Sequence, residues 1–250
     1  MNRRILLSLI TIAATVIIAA GGTVAYFSDK ETSSGNTFSA GSIDLKVGYE
    51  SSYNGTSSVS WDLKDLGTGD KFFDFEDLKP GDWGEGTITL HVYNNNAWAC
   101  MTITPVKNDD ATSTEPEIRA GDTPENPADD FDGELAQNIN LLIWADVCSN
   151  NNGAYPGDNV YQRDCDNLIY QGSAPTTTVT FALADKDTNV FTGTSSEPLL
   201  GSHDYYIGIK WEISDNVGNE IQTDTYEADI SFYAVQSRNN PDFKCVTVTR

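Results

Sequence analysis

The chain has 250 residues and carries 37 acidic against 15 basic side chains, so its formal net charge at pH 7 is −22. This balance argues against nucleic acid as a partner, because few Lys and Arg side chains are available to displace phosphate counterions. Hydrophobic residues make up 39% of the chain, which is enough for a folded core. The two histidines exclude a metal site that needs three imidazoles.

Residues 1–25 have the order of a secretory signal peptide. Two arginines precede an apolar stretch at residues 5–20, and small residues follow it at Thr23 and Ala25. This order predicts cleavage by signal peptidase after Ala25 and a secreted protein, extracellular or at the cell surface. The alternative is a retained anchor, since residues 5–27 are just long enough to span a bilayer. Cleavage removes two arginines and no acids, so the net charge goes from −22 to −24.

The four cysteines are an even set, and in an exported protein we expect them to form two disulfides. Three pairings are possible. We favour Cys148–Cys165, which closes a short loop rich in Asn, Gly and Asp. By elimination the second pair is Cys100–Cys245, which would tie the C-terminal segment to a strand. A zinc site is the alternative, but the chain has no C-x-x-C motif.

Alternation of apolar and polar residues dominates the chain and predicts strands with one buried face. The clearest run lies at residues 205–213. The other runs lie at residues 43–49, 87–93, 179–183 and 228–234. Short strands joined by polar turns predict an all-β fold, an antiparallel β-sandwich that forms one domain at residues 36–250. Helix is expected only as two turns at residues 133–139.

Two acidic stretches, residues 108–132 and 146–166, interrupt the strand pattern, and we expect both to be long surface loops. Clustered carboxylate and amide oxygens suit Ca²⁺, so the second stretch allows a calcium site, although its spacing matches no EF-hand. The alternative is a solvated acidic surface. The candidate calcium ligands are Asp146, Asn150, Asn152, Asp158, Asp164 and Asp166. A weaker group in the first stretch is Asp129, Asp130, Asp132 and Glu134.

Known catalytic motifs are absent from the sequence. It contains no H-E-x-x-H zinc motif, no G-x-S-x-G nucleophile elbow and no Walker loop, so we predict no enzymatic activity. His91 falls on the polar face of a strand and His203 lies in a turn, which favours a structural role for both. Asn54 begins the one N-x-[ST] sequon and is a candidate glycosylation site.

The segment exposed by cleavage after Ala25 is a candidate donor strand. A free extended segment ahead of a β-sandwich can add itself to the open edge of a neighbouring sheet. If each subunit donates to the next, the contact is heterologous and produces an open filament. The alternative is a frayed terminus or an edge strand of the same subunit. The donor residues are Tyr26, Phe27, Ser28, Asp29, Lys30, Glu31, Thr32, Ser33 and Ser34.

Motifs along the chain resemble the TasA/camelysin family of secreted biofilm fibre proteins. The most specific is the N-terminal block, with GGTVAYFSD at residues 21–29 and GNTFSAGSIDL at residues 35–45. LKPGD at residues 78–82 and DISFYAVQSRN at residues 229–239 also fit. The acidic, cysteine-containing insertions look more like archaeal bundling pilins of this family than like its bacterial fibre proteins.

The resemblance implies a jelly-roll-like sandwich that polymerises into extracellular fibres. By this resemblance residues 1–25 are the signal peptide, residues 26–35 contain the donor, and residues 36–47 start the subunit's own sandwich. The implied partner is a second copy of the chain, joined head to tail by donor-strand complementation, and neighbouring filaments in a bundle. No cofactor is required, with calcium the one candidate.

Two other functions stay open at the level of sequence. One is a monomeric secreted surface module whose acidic loops bind calcium. The other is a metalloprotease, because camelysin itself is associated with protease activity, although no metal or nucleophile constellation is recognisable here.

Overall fold

The computed structural model describes residues 28–33, 37–39, 43–67, 69–75, 77–122, 124–150 and 153–246. The expected signal peptide and its cleavage site therefore lie outside the described residues. So do Tyr26, Phe27 and Ser34 of the expected donor, and Asn152 of the expected calcium loop.

Eleven strands are described, and they form two antiparallel sheets in a sandwich-like arrangement. The all-β prediction is confirmed. The first sheet has the order β2-β1-β11-β6-β9 and the second β4-β3-β5-β10-β7-β8. The strands are β1 (Ser28–Ser33), β2 (Thr37–Ser39), β3 (Asp44–Tyr53), β4 (Thr56–Lys64), β5 (Trp83–Tyr93), β6 (Ala97–Asp110), β7 (Ile139–Ala145), β8 (Asn167–Ser173), β9 (Val179–Ala184), β10 (His203–Ile213) and β11 (Asp224–Gln236).

The core lies between the sheets and is built from the alternating runs. In β10 the side chains of Ile207, Ile209 and Ile213 are buried, as the alternation predicts. From the opposite sheet, Phe232 and Ala234 of β11 are buried in the same way. The alternation of apolar and polar residues in both strands therefore indicates which face of each sheet is turned towards the core.

Two short helices and two 3-10 turns complete the described fold. They are α1 (Glu115–Ala120), α2 (Leu135–Asn138) and the 3-10 turns Asn219–Ile221 and Ser237–Asn239. The helix expected at residues 133–139 is thus present as the single turn α2. None of the helices in the described ranges is long and apolar enough to cross a bilayer.

The stretch at residues 108–132 differs from the expected surface loop. Its first residues continue β6, and α1 forms within it because the Glu117 carboxylate accepts a hydrogen bond from the Thr114 backbone N–H. Gly121 ends the helix in the left-handed conformation, at φ 102°. Glu117 is fully buried and Asp110 nearly so, so part of this acidic stretch is interior.

Two disulfides join the four cysteines in the pairing favoured from the sequence. Cys148 is bonded to Cys165, and Cys100 of β6 is bonded to Cys245 near the C-terminus. The second bond holds the C-terminal segment against the sandwich, where the Phe243 ring packs against Tyr233. Stable disulfides are typical of oxidising extracellular compartments.

Candidate functional site

The N-terminal strand β1 lies along the edge of β11. The two strands are antiparallel, and the register runs from Ser28 opposite Val235 to Ser33 opposite Ile230. The sequence of β1 is SDKETS, which contains no apolar residue. The described link between β1 and the sandwich is therefore its main-chain pairing with β11.

The strand β2 depends entirely on β1. It pairs with β1 from Thr37 opposite Thr32 to Ser39 opposite Lys30, and it forms the end of the sheet as described. Within the described strands β1 has only β2 and β11 as neighbours. Among the described strands, the β1–β2 unit is therefore joined to the rest of the sheet through β11 alone.

The strand β11 is longer than the strand that covers its edge. It has 13 residues and pairs with β6 along its whole length. On its other side β1 covers only residues 230–235. Among the described strands, none pairs with residues 224–228 on that side. Edge backbone of this kind offers N–H and C=O groups to an added strand.

A groove of about 690 Å³ adjoins this first half of β11. Its walls are largely apolar and come from both sheets and from the segment that precedes β5. The lining side chains include Phe73, Phe75, Ile139, Leu141, Trp211, Tyr226 and Ala228. Apolar surface therefore lies beside the part of β11 that β1 leaves uncovered.

Aromatic rings contribute to the lining of the groove, and the sequence did not identify them as part of a site. The Phe75 ring lies 4.8 Å from Tyr53 and 5.2 Å from Trp211, measured between ring centroids. The signal in the sequence was the run FFDF at residues 72–75, which fits no strand alternation. The run alone does not predict the aromatic cluster, because Trp211 is distant in sequence and is brought near Phe75 only by the fold.

The expected calcium residues of the loop at 146–166 are not all brought together. Asp166 is buried, and its carboxylate accepts backbone N–H bonds from Val147, Cys148 and Gln162 at 2.9, 2.9 and 2.7 Å. Asp166 therefore links the start of the loop, at residues 147–148, to its later part at Gln162 through hydrogen bonds. Asn150 and Asp164, by contrast, are exposed.

Asp146 is the most deeply buried acid of that loop. Its Oδ2 accepts the Asn159 N–H at 2.9 Å, while its Oδ1 has no hydrogen-bond partner. Burial raises the pKa of Asp146 to about 6, and the negative charges of Asp166 and Asp158 act in the same direction. The calcium site at this loop stays a prediction.

Asn54 lies in the two-residue turn between β3 and β4, with φ 47°. Its side-chain amide donates a hydrogen bond to Asp82 at 2.8 Å and accepts one from the Trp83 N–H at 3.0 Å. Asn54 is exposed, and one N–H of its side-chain amide is engaged with Asp82. Glycosylation stays a prediction.

The two histidines are not placed to share a metal ion. His91 Nδ1 lies 2.5 Å from Asp204 Oδ1, and these two residues are cross-strand partners in β5 and β10. His203 precedes Asp204 in the same strand, so its side chain points to the other face of the sheet. His203 instead contacts the carbonyl oxygen of Gly201 at 3.0 Å.

A metallopeptidase centre does not fit the residues that the structure describes. A catalytic zinc site needs three protein ligands around one point, usually with imidazole nitrogens among them. No three His, Cys, Asp or Glu side chains in the described ranges are gathered in that way. The two imidazoles lie on opposite faces of the sheet, so they are not placed to coordinate the same zinc ion.

Comparison with known proteins places the chain in a family. No curated protein matches it with significant similarity. A family profile, described as camelysin metallo-endopeptidase, matches residues 1–240, which is nearly the whole chain. The chain therefore belongs to the camelysin metallo-endopeptidase family, the TasA/camelysin family that its motifs resemble.

Proposed function

We propose that this chain is a secreted structural subunit of an extracellular filament or bundling pilus. Its subunits are joined when residues 26–34 of one copy take the place of β1 on the β11 edge of the next copy. Family membership supports a secreted, biofilm-related protein. The observation that carries the filament itself is the pairing of a wholly polar β1 with β11.

A strand held by its main chain can be replaced by an identical strand from another copy. The hydrogen bonds between Ser28–Ser33 and residues 230–235 do not depend on which chain supplies the first strand. Exchange of an identical element between copies therefore has a low cost in free energy, because the same contacts form again. The donor lies at the edge side of β11, since among the described strands β1 and β2 join the sheet through β11 alone.

The exchange leads to a filament rather than to a closed dimer if each copy donates to one neighbour and accepts from another. Such a contact is head-to-tail and adds subunits without limit. The donor of nine residues is longer than the six-residue β1. Of the three extra residues, Ser34 extends the covered part of the β11 edge by one residue towards the apolar groove, and Tyr26 and Phe27 extend it at the other end.

The net charge opposes association between free subunits. A chain that begins at Tyr26 has a charge of −24, which keeps separate copies soluble and mutually repelling. Strand addition must outweigh this repulsion. Added salt weakens the repulsion, because at 0.1 M salt exposed charges more than about 10 Å apart are largely screened from one another. Salt should therefore accelerate assembly.

We expect protein that begins at Tyr26 to form filaments in negative-stain electron micrographs. Sedimentation should show that their rate of formation rises at least severalfold between about 10 mM and 200 mM NaCl, because the Debye length shortens. Protein that stays a single monomeric species at every salt concentration would contradict the proposed function. It would instead agree with a monomeric surface module.

A further inference from the structure

Residues 167–184 contain no charged side chain, although 21% of the chain is charged. They form β8, the connection that follows it, and β9. Residues 86–106 also lack Asp, Glu, Lys and Arg, but their strands, β5 and β6, have a neighbouring strand on both sides. The uncharged stretch at 167–184 is different because both of its strands lie at the edge of a sheet.

The two strands form one side of the sandwich. β8 is the last strand of the second sheet and β9 the last strand of the first. The Tyr170 ring of β8 lies 5.5 Å from the Phe181 ring of β9, measured between ring centroids. The two edges therefore lie on the same side of the molecule, and we call residues 167–173 and 179–184 together the β8–β9 flank.

The edge of β8 offers main-chain groups to an added strand. Among the described strands β8 pairs with β7 alone. The pairing is regular from Tyr170 opposite Ile143 to Ser173 opposite Asn140, and the register shifts beyond Tyr170. The end of β9, by contrast, is bonded to the loop that follows it. The regular part of β8, residues 170–173, is therefore the part of the flank best suited to strand addition.

The β8 edge lacks most of the features that normally protect an open edge. Proteins protect such edges with charged side chains, proline or a bulge. β8 has the register shift near one end, but its sequence, NLIYQGS, has neither a charge nor a proline. The opposite edge of the same sheet, β4, carries Asp62 and Lys64. Leu168 of β8 is 47% exposed, so the β8 edge also presents apolar surface.

The charge of the chain favours this flank for contact with a second copy. Two copies with a net charge of −22 repel one another. Paired strands are about 4.8 Å apart, which is well inside the distance of about 10 Å over which exposed charges act at 0.1 M salt. Like charges on opposite strands destabilise such a pair. Two uncharged edges can therefore approach to this distance without local repulsion.

We propose that the β8–β9 flank binds the same flank of a second copy of this chain, with the two β8 edges antiparallel. Identical strands related by a two-fold axis are antiparallel, and each copy then offers the same surface. The contact uses neither β1 nor β11, so it does not require donor exchange. In a filament it would join neighbouring filaments side by side, a consequence that rests on the proposed function.

The first test places one cysteine on each edge of the second sheet. Gln171→Cys lies in the regular part of β8, and Ser60→Cys lies on β4; both positions are exposed. The chain from Tyr26, with its native disulfides intact, is treated with a short bismaleimide cross-linker, and covalent dimers are quantified on reducing gels. Gln171→Cys should give at least about fivefold more dimer than Ser60→Cys, which corresponds to about 1 kcal/mol.

The second test adds a charge to each edge in the Gln171→Cys chain. Leu168→Asp on β8 and Leu63→Asp on β4 are matched, since both leucines are exposed, at 47% and 36%. Leu168→Asp brings like charges together across the contact and should lower the dimer yield at least about fivefold. Leu63→Asp should leave the yield within about twofold of its starting value. Circular dichroism confirms that each variant is folded.

Equal dimer yields from Gln171→Cys and Ser60→Cys would overturn the proposal. Equal yields after Leu168→Asp and Leu63→Asp would also overturn it. Micrographs of the same samples separate this contact from donor exchange, because cross-linked dimers without filaments contradict the proposed function alone. Filaments in which Gln171→Cys gives no more dimer than Ser60→Cys contradict the flank contact alone. If Leu168→Asp does not fold, the comparison of the two cysteine variants decides.

Discussion

Replacing Glu31 and Thr32 together by proline should strongly reduce filament formation, whereas replacing both by alanine should leave it intact. Proline lacks the backbone N–H that a sheet ladder needs, while alanine keeps it. Adjacent residues in a strand direct their N–H groups to opposite sides, so the proline pair removes a bond on each side of β1. The main chain, rather than these side chains, is what the exchange requires.

The loss of two hydrogen bonds corresponds to about 1–3 kcal/mol for each subunit contact, or about a 5- to 150-fold weaker contact. Pelleting assays and negative-stain micrographs measure the result. Deletion of residues 26–34 should have the same outcome and leave a folded monomer, as judged by circular dichroism. Filaments of unchanged yield from the proline variant or from the deletion would contradict the proposed donor.

Removal of the Cys100–Cys245 disulfide should cause the largest loss of folding stability. The bond joins residues 145 apart in sequence, so its absence greatly enlarges the unfolded ensemble. Cys100→Ala/Cys245→Ala should lower the free energy of unfolding by about 2–5 kcal/mol and the melting temperature by roughly 5–20 °C. It also releases the segment that carries Phe243 from its contact with Tyr233.

The other disulfide provides the matched comparison. Cys148 and Cys165 are 17 apart in sequence, so Cys148→Ala/Cys165→Ala should cost less, since the entropic contribution of a cross-link rises with loop length. Calorimetry on both variants measures which of the two disulfides contributes more to the folding stability. A larger loss for the shorter loop would show that the C-terminal segment contributes little to the sandwich.

Strands with one solvated face were the ones that could be predicted from the sequence. In β10 the apolar residues Ile207, Ile209, Trp211 and Ile213 are buried while Lys210 and Glu212 are not, and the predicted run at residues 205–213 lies within the strand. β6 and β7 were missed because their residues are buried on both faces at one end, which removes the alternation. β4 was also missed, although Val59, Trp61 and Leu63 alternate with polar residues in it, and the strand is largely exposed.

The interior acids could not be predicted from composition alone. A stretch of many acids normally indicates a solvated loop. The T-x-x-E pattern at Thr114 and Glu117, with Pro116 in the first turn, was the local signal of a helix start there. The approach of Asp224 to Glu134 depends on how the two sheets pack, and no pattern within either segment records it.

The sequence predicts a strand at residues 26–34, and the structure pairs residues 28–33 of it with β11. Its role as a donor to a second copy of the chain stays a prediction. The same register between β1 and β11 satisfies the main chain whether one copy or two supply the strands. Sequence patterns specify which residues pair, and they carry no information on whether the pairing is within a subunit or between subunits.

A cross-link between β1 and β11 tests strand exchange most directly. Thr32 and Ser231 are opposite one another, and opposite residues of antiparallel strands are about 4.5–5.5 Å apart at Cα, within disulfide range. In oxidised filaments of Thr32→Cys/Ser231→Cys, we predict a ladder of covalent oligomers on non-reducing gels. Thr32→Cys alone, the control, should give no ladder. Filaments in which the new disulfide forms only within single chains would contradict donor-strand exchange.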